Sequence, residues 1–225
     1  VNNNLLMREP YFIKNSSFSF DQNGTVTINL ELFTKGVSEV RDLKITDQYG
    51  DMGFVTALMP YVFGKADPDM GGRIEGMQVP GGTGGVRLAV AVAKKAGVKR
   101  IFMGTPSWPN HAQIFADVGV AMEGFNHSTA DGAADMDALR AALAGAGPED
   151  AVLLHGCCHN PSGIDYSNAE WDEIAALLAD RKILPILDLA YQGLGHGMEE
   201  DAYGTRKVLS QVPEAGRASV AQRVA

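Results

Sequence analysis

The residues best suited to chemistry stand in four short motifs, each placed beside a predicted strand or helix. The first is the glycine cluster at residues 80–85 (PGGTGG), which opens a helical stretch. Glycines at such a point let backbone N–H groups approach an anion, and the helix dipole and the Thr83 hydroxyl add to the attraction. The cluster has neither the G-x-G-x-x-G nor the P-loop spacing. Taken alone, it predicts either a phosphate site or a tight turn.

The second motif, residues 105–111 (TPSWPNH), follows a short apolar strand. Trp108 stands between two prolines there, so its flat ring could contact a ligand. Packing against the protein is the more common role for such a tryptophan, and both interpretations stay open.

The third motif, residues 155–163 (HGCCHNPSG), follows another strand. Asn160 precedes a proline, and a residue in that position avoids the helical backbone conformation. The Asn160 side-chain amide can therefore project into a cleft. His155 and His159 are four residues apart, a metal-binding spacing on a helix, but the glycine and proline in this segment argue against a helix. We therefore expect structural histidines and no metal site.

The fourth motif places a carboxylate at the end of an apolar strand. Asp188 follows residues 183–187 (ILPIL), and Tyr191 comes three residues later. A buried carboxylate is costly unless it is paired. Its partner could be a helix dipole, a histidine or a protonated nitrogen of a ligand, and we favour a functional role for Asp188.

Composition narrows the class of protein. The 225 residues are 45% hydrophobic and 20% charged, with a net charge of −8, which argues against a nucleic-acid-binding surface. No apolar run approaches the roughly 18–20 residues of a membrane helix, and no signal peptide is evident. Cys157 and Cys158 are neighbours, an arrangement that rarely forms a relaxed disulfide, and no third cysteine exists. These features predict a soluble, cytoplasmic protein.

The pattern of apolar and polar residues changes near residue 48. Residues 11–20 are rich in aromatics, residues 21–24 (DQNG) predict a turn, and residues 25–33 alternate apolar and polar side chains. This pattern predicts a β-hairpin. The segment resembles parts of contractile phage tail or baseplate proteins, which leaves open a non-catalytic structural or assembly role.

From about residue 50, predicted helices alternate with short apolar strands. The helices fall at 85–96, 109–118, 135–144, 167–180 and 199–212, and the strands at 99–103, 120–124, 151–155 and 183–187. The pattern predicts an α/β fold, a mostly parallel sheet with helices on both faces. Such sheets bind ligands at the carboxyl ends of their strands.

In this order and at these separations, the four motifs resemble the class I pyridoxal-phosphate-dependent aminotransferases, closest to the aspartate and aromatic amino acid group. The resemblance covers about residues 50–215. It implies part of the large domain of a fold type I pyridoxal phosphate enzyme. It also implies amino-group transfer between aspartate or an aromatic amino acid and a 2-oxo acid, and a homodimer.

The resemblance implies cofactor contacts for one set of residues: Gly81, Gly82, Thr83, Trp108, Asn160, Asp188 and Tyr191. The glycine cluster would hold the phosphate. Trp108 would stack on the pyridine ring and contact substrate. Asn160 and Tyr191 would bond the phenolic oxygen of the ring, and Asn160 would also touch the substrate carboxylate.

The same resemblance implies an arrangement around the pyridine nitrogen. Asp188 would pair with the protonated nitrogen, and His111 would support Asp188 from behind. His155 would lie near the cofactor with at most a supporting part.

The chain departs from the family pattern at the catalytic base. The family has its Schiff-base lysine in a Ser-x-Ser-Lys stretch beyond the tyrosine that matches Tyr191. Here the only later lysine is Lys207, in a GTRKV stretch without that motif. We identify no catalytic residue and expect the chain as given to be inactive alone. A dinucleotide-binding protein is a weaker alternative, because the glycine spacing is wrong.

The domain organisation predicted from these observations has three parts. Residues 1–48 form a β-rich segment, residues 49–215 form the partial cofactor-binding domain, and residues 216–225 form a tail.

Overall fold

The β-rich beginning of the chain forms the predicted hairpin. The computed structural model describes residues 12–20, 26–33, 52–65, 74–211 and 219–222. Strands β1 (Phe12–Phe20) and β2 (Val26–Phe33) pair antiparallel, with one irregularity in register between Ile13 and Asn15. The predicted turn at 21–24 lies outside the described residues. The chain divides into two units, residues 1–46 and 47–225.

The second unit alternates helices and strands. Its helices are α1 (Met52–Phe63), α2 (Gly81–Lys95), α3 (Asn110–Val118), α4 (Met136–Leu143), α5 (Asn168–Arg181) and α6 (Tyr203–Gln211). Its strands are β3 (Arg100–Thr105), β4 (Ala121–Asn126), β5 (Asp150–His155), β6 (Leu184–Leu189) and β7 (Ser219–Gln222). The strands form one parallel sheet in the order β4-β3-β5-β6-β7.

Alternation along the central strands sends side chains to two apolar cores. On one face, Phe102, Val152 and Leu187 pack with α4, α5 and α6. On the other face, Met103 and Ile186 belong to a cluster that includes α2 and α3. Strands covered on both faces are apolar throughout, which explains why they appear in the sequence as continuous hydrophobic runs. The predicted α/β fold with helices on both faces is confirmed.

Local capping signals set several helix ends. Ser167 accepts a hydrogen bond from Glu170 N at 3.3 Å, and Glu170 accepts one from Ser167 N at 2.7 Å. This reciprocal pair is a capping box, and the Ser-x-x-Glu spacing at residues 167–170 is its signature in the sequence. Asp135 caps α4 by accepting from Ala138 N at 2.8 Å.

Three features differ from the sequence prediction. Helix α2 begins at Gly81 and not at residue 85, so the glycine cluster forms its first turn. Helix α1 was not predicted, because it is apolar along its length and contains Pro60, which leaves no amphipathic period to detect. The segment 216–225 was interpreted as a tail, yet its residues 219–222 add β7 to the sheet beside β6. Among the described residues, no helix combines the length and hydrophobicity that crossing a bilayer requires.

Close packing between α5 and α6 depends on a glycine. A Cβ added to Gly204 would overlap three atoms of the Trp171 indole, which is buried beneath α6. Gly204→Ala should therefore lower the free energy of unfolding by about 2 kcal/mol, because the core must be displaced. Urea unfolding measures this change. Gly145→Ala is the matched control, since a Cβ there would meet no atom within 4 Å. Equal losses in the two variants would contradict the packing argument.

Candidate active site

A buried carboxylate stands at the carboxyl end of strand β6. Asp188 is 7% exposed, and its Oδ2 lies 3.0 Å from Nε2 of His111, which is fully buried on α3. A carboxylate only accepts, so His111 Nε2–H donates to Asp188. The other ring nitrogen of His111 lies 3.0 Å from Ser107 Oγ. Among the described residues, Oδ1 of Asp188 has no hydrogen-bond partner, so this oxygen could receive a ligand proton.

His155 lies beside this pair through the register of the sheet. It is directly opposite Asp188 in the β5–β6 ladder, and its ring centroid is 5.2 Å from that of His111. Its Nε2 is buried and has no partner within the part of the chain that the structure describes. Burial lowers the pKa of His155 to about 4, although Asp188 opposes this effect, so the ring is uncharged near neutral pH.

Asn160 and Tyr191 meet at an open cleft. Asn160 Nδ2 lies 3.5 Å from Tyr191 Oη, so the amide donates to the hydroxyl over a long distance. Both residues line a cleft of about 420 Å³ together with Cys158, His159, Pro161, Gly163 and Leu194. The loop is shaped by Asp165, whose carboxylate accepts from the backbone N–H groups of Cys158 and His159 at 2.7 and 2.8 Å.

Trp108 joins the cluster around the buried carboxylate. Its ring meets His111 edge-on, with centroids 5.1 Å apart and an interplanar angle of 86°. The side chain is half-buried against the core that contains α2 and α3. Trp108 therefore packs on the protein while keeping part of its surface accessible.

The glycine cluster offers a helix N-terminus. Gly81 has φ +69°, a conformation that favours glycine, and Pro80 provides no side-chain cap to α2. Gly82 is half-buried and Thr83 is exposed. The first-turn N–H groups and the Thr83 hydroxyl are thus suited to bind an anion. No hydrogen bond or ring contact within the described residues joins this turn to the other predicted site residues.

The structure therefore groups the predicted residues in three sets. Trp108, His111, His155 and Asp188 form one cluster, and Asn160 with Tyr191 forms a second. The helix turn with Gly81, Gly82 and Thr83 is the third. In an α/β fold a helix that leads through a short connection into the next strand runs antiparallel to that strand. We therefore expect the N-terminus of α2 at the edge of the sheet where the strands have their carboxyl ends.

Lys207 lies elsewhere. Its ammonium pairs with Asp172 on α5 at 3.0 Å, and Asp172 also accepts from the Tyr203 hydroxyl at 2.7 Å. The lysine is thus engaged in a contact between two helices on one face of the sheet.

Sequence reasoning missed two buried aromatic residues next to the site, His127 and Tyr166. His127 stacks on His159 with ring centroids 3.5 Å apart, and Tyr166 meets His127 edge-on at 5.3 Å. The signal for His127 was present, since it directly follows strand β4 at the edge where the other motifs lie. His159 stood in a predicted motif but received only a structural assignment.

Two clusters bring potential metal ligands together. Atoms of His111, His155 and Asp188 lie within 4.8 Å of one another, and so do those of Cys157, Cys158 and Asp201. Burial raises the pKa of both thiols, which keeps them protonated at neutral pH. The Asp201 carboxylate accepts from backbone N–H groups of residues 193, 195 and 196 at 2.8–2.9 Å. Those bonds shape the loop after Tyr191, so we assign no metal to the cysteine cluster.

The buried histidines make stability depend on pH. Burial lowers the pKa of His155 to about 4, and burial with the neighbouring histidines lowers that of His159 to about 3. In the unfolded chain a histidine has a pKa of about 6.5. The unfolded state therefore binds more protons between these values. The stability from neutral rings is fully present above about pH 6.5 and is lost as pH falls toward 4.

We expect the free energy of unfolding to fall by on the order of 3 kcal/mol between pH 6.5 and 5, since each histidine contributes up to about 1.4 kcal/mol per pH unit. Urea unfolding across this interval measures the slope. His155→Asn should reduce the slope, because it removes one of the groups. A wild-type free energy that stays constant over the interval would rule the explanation out.

Comparison with known proteins agrees with this fold. The family model described as "Aminotransferase class I and II" matches residues 37–224. A tyrosine aminotransferase of Rhizobium meliloti is 44% identical over 167 residues, which is 74% of this chain and 42% of that protein. An aspartate aminotransferase of Salmonella typhi is 40% identical over 156 residues, 68% of this chain and 39% of that protein.

A solved structure shows the same architecture. An aromatic-amino-acid aminotransferase from Burkholderia pseudomallei, covalently bound to pyridoxal phosphate, superposes with a TM-score of 0.73 at 27% identity, over 80% of this chain and 46% of that one. The chain spans less than half the length of these relatives. With the match to the family model covering most of its residues, this chain belongs to the class I and II aminotransferase family.

Proposed function

We propose that this chain forms the pyridoxal-phosphate-binding part of an aminotransferase that moves an amino group between an amino acid, aspartate or aromatic, and a 2-oxo acid. The observation that carries the proposal is the buried Asp188 carboxylate, which His111 holds on one oxygen, three residues before Tyr191 in the lining of an open cleft. Family membership and the tyrosine and aspartate aminotransferase relatives support it.

The residues present fit the chemical parts of this cofactor. A phosphate needs several N–H donors, and the uncapped first turn of α2 with the Thr83 hydroxyl offers them. A phenolic oxygen needs donors, and the Asn160 amide and Tyr191 hydroxyl lie 3.5 Å apart at the cleft. A protonated ring nitrogen needs an anion, which Asp188 provides. A flat ring also needs an apolar surface, which Trp108 could give.

When bound, pyridoxal phosphate supplies an electron sink for the electrons left at the substrate Cα. Asp188 holds the proton on the ring nitrogen, because a neighbouring carboxylate favours the charged form. His111 holds Asp188 in place through its Nε2–H. Asn160 and Tyr191 would orient the phenolic oxygen, and Asn160 and Trp108 would also contact the substrate.

The proposal includes a limit on this chain alone. Proton transfer at the substrate needs a base, and the chain shows no Ser-x-Ser-Lys motif, while Lys207 pairs with Asp172. We therefore propose that the chain binds the cofactor but does not complete the transfer by itself. Turnover of aspartate with a 2-oxo acid by this chain would contradict that limit.

The domain organisation is part of the proposal. Residues 49–215 form the cofactor-binding domain and residues 1–48 a separate β segment, which the division of the chain near residue 46 supports. The homodimer and the cytoplasmic location implied by the resemblance stay predictions.

The phosphate site is tested by Thr83→Val. The suitable probe is pyridoxamine phosphate, which has the ring and phosphate of the cofactor but no aldehyde to react with lysines. Loss of a hydrogen bond to a charged group should weaken its binding roughly tenfold. Binding of pyridoxamine, which lacks the phosphate, should be unchanged. Absorbance or fluorescence titration measures both affinities.

Ser210→Ala, which removes an exposed hydroxyl of α6, is the control variant for this titration. If Thr83→Val weakened the binding of both ligands equally, the phosphate would have to bind somewhere other than at Thr83. If wild type binds neither ligand, the cofactor proposal fails, and the non-catalytic alternative gains.

The ring-nitrogen site is tested by Asp188→Asn, which keeps the size of the side chain but removes its charge. The nitrogen of bound pyridoxamine phosphate should then lose its proton about 1–3 pH units lower than in wild type. An absorbance titration of the bound ligand against pH reports this midpoint. Affinity should change less than in Thr83→Val, since the phosphate contacts remain. An unchanged midpoint would show that Asp188 does not face the ring nitrogen.

A further inference from the structure

Four of the five histidines form a continuous series of ring contacts that begins at Asp188. His111 holds the carboxylate, and His155 lies 5.2 Å from His111. His159 meets His155 at 4.4 Å with an interplanar angle of 70°. His127 then stacks on His159 at 3.5 Å with an angle of 7°. The last two rings were given no contact with cofactor or substrate in the proposed function, yet theirs is the tightest contact of the series.

His127 is fixed by partners on both ring nitrogens. Its Nε2 lies 2.7 Å from the carbonyl oxygen of Ile164, so this nitrogen carries the proton and donates. Its Nδ1 lies 3.4 Å from the Tyr166 hydroxyl. The residue is 2% exposed and its ring rests on Gly104, where an added Cβ would approach the ring Nδ1 to 3.2 Å. The orientation of His127 is thus set by the body of the domain.

His159 connects the fixed His127 ring to the loop that carries Asn160. Its ring lies on His127, and its Nδ1 is 2.8 Å from Ser162 Oγ within the same loop. The next residue is Asn160, whose amide meets Tyr191 at the cleft. A movement of the His159 ring would therefore move the backbone that carries Asn160.

We propose that the stacked pair of His127 and His159 positions two parts of the cofactor site: Asn160 through the adjacent backbone, and Asp188 through His155 and His111. His127 is then a positioning residue that touches neither cofactor nor substrate. This inference rests on the proposed function, because it assumes that Asn160 and Asp188 bind the cofactor. The placement of their side chains can nevertheless be measured without any ligand.

Electrostatics supports this role. Two charged imidazoles at stacking distance would repel strongly in a buried site. Burial lowers the pKa of His127, with the Ile164 hydrogen bond and Asp165 opposing it, and the pKa of His159 falls to about 3. Both rings are therefore neutral near pH 7, where two flat, polarisable rings can stack.

The test uses two substitutions that separate the ring from its hydrogen bond. His127→Phe keeps a flat ring to stack on His159 and loses both polar contacts. His127→Gln keeps an N–H donor for Ile164 and loses the ring. His196→Gln is the matched control, because His196 is exposed and outside the series. The readouts are the NMR signals of the Asn160 side-chain amide and the His111 Nε2–H, and the affinity for pyridoxamine phosphate.

If stacking positions the site, His127→Gln shifts both NMR signals and weakens pyridoxamine phosphate binding roughly tenfold, the size expected for coupling between contacting side chains. His127→Phe retains the wild-type signals and affinity even if it unfolds more easily. The control variant changes none of them. A purely structural role would lower stability in both His127 variants without separating them in this way.

Three outcomes overturn the proposal. One is a folded His127→Gln with unchanged Asn160 and His111 signals. Another is a His127→Phe variant whose Asn160 and His111 signals shift as far as those of His127→Gln, which would show that the hydrogen bond, and not the ring, positions the site. The third is a His127→Phe variant that cannot fold, since the proposal requires a flat ring to suffice. If His127→Gln does not fold, the comparison of NMR signals and affinity between wild type and His127→Phe tests the proposal. If wild type binds no pyridoxamine phosphate, the proposed function fails, and the NMR signals alone decide this inference.

Discussion

A carboxylate buried at the carboxyl end of a parallel strand is the constraint on which the site depends. Asp188 lies between Leu187 and Leu189, both fully buried, so an unpaired charge there would cost several kcal/mol. The His111 N–H offsets part of that cost. Because His111 comes from the first turn of α3, the β3–α3 connection must bring that helix start to the carboxyl end of β6. The placement of Trp108, three residues before His111, follows from the same requirement.

The register of strands β5 and β6 also places Asn160 and Tyr191 relative to Asp188. His155 stands opposite Asp188, and Gly156 N then donates to the Asp188 carbonyl at 2.7 Å. Gly156 must be glycine, because a Cβ would approach Leu189 Cδ1 to 2.6 Å. The loops that leave β5 and β6 therefore start side by side. A few residues later, Asn160 and Tyr191 meet across the cleft.

The sequence was most informative where one residue type conflicts with its surroundings. A carboxylate ending an apolar strand predicted a paired Asp188, and the structure supplies His111 as its partner. Capping residues likewise located the start of α5. Prediction failed where no such conflict exists. Helix α1 is apolar along its length, and strand β7 is only four residues long, too short for a periodic signal. The stack of His127 on His159 joins residues 32 positions apart, which no local pattern reveals.

Histidine suits this interior because a neutral imidazole both donates and accepts while presenting two flat faces. His111 contacts a carboxylate and a serine, and His127 contacts a carbonyl and a tyrosine. A phenyl ring would fill the space but leave those polar groups unsatisfied, and a lysine would add a charge that burial disfavours. The same choice has a consequence for stability. Rings that must stay neutral to pack together favour unfolding once the solvent is acidic enough to protonate them, so the arrangement that orders this edge of the sheet also limits the pH range over which it is stable.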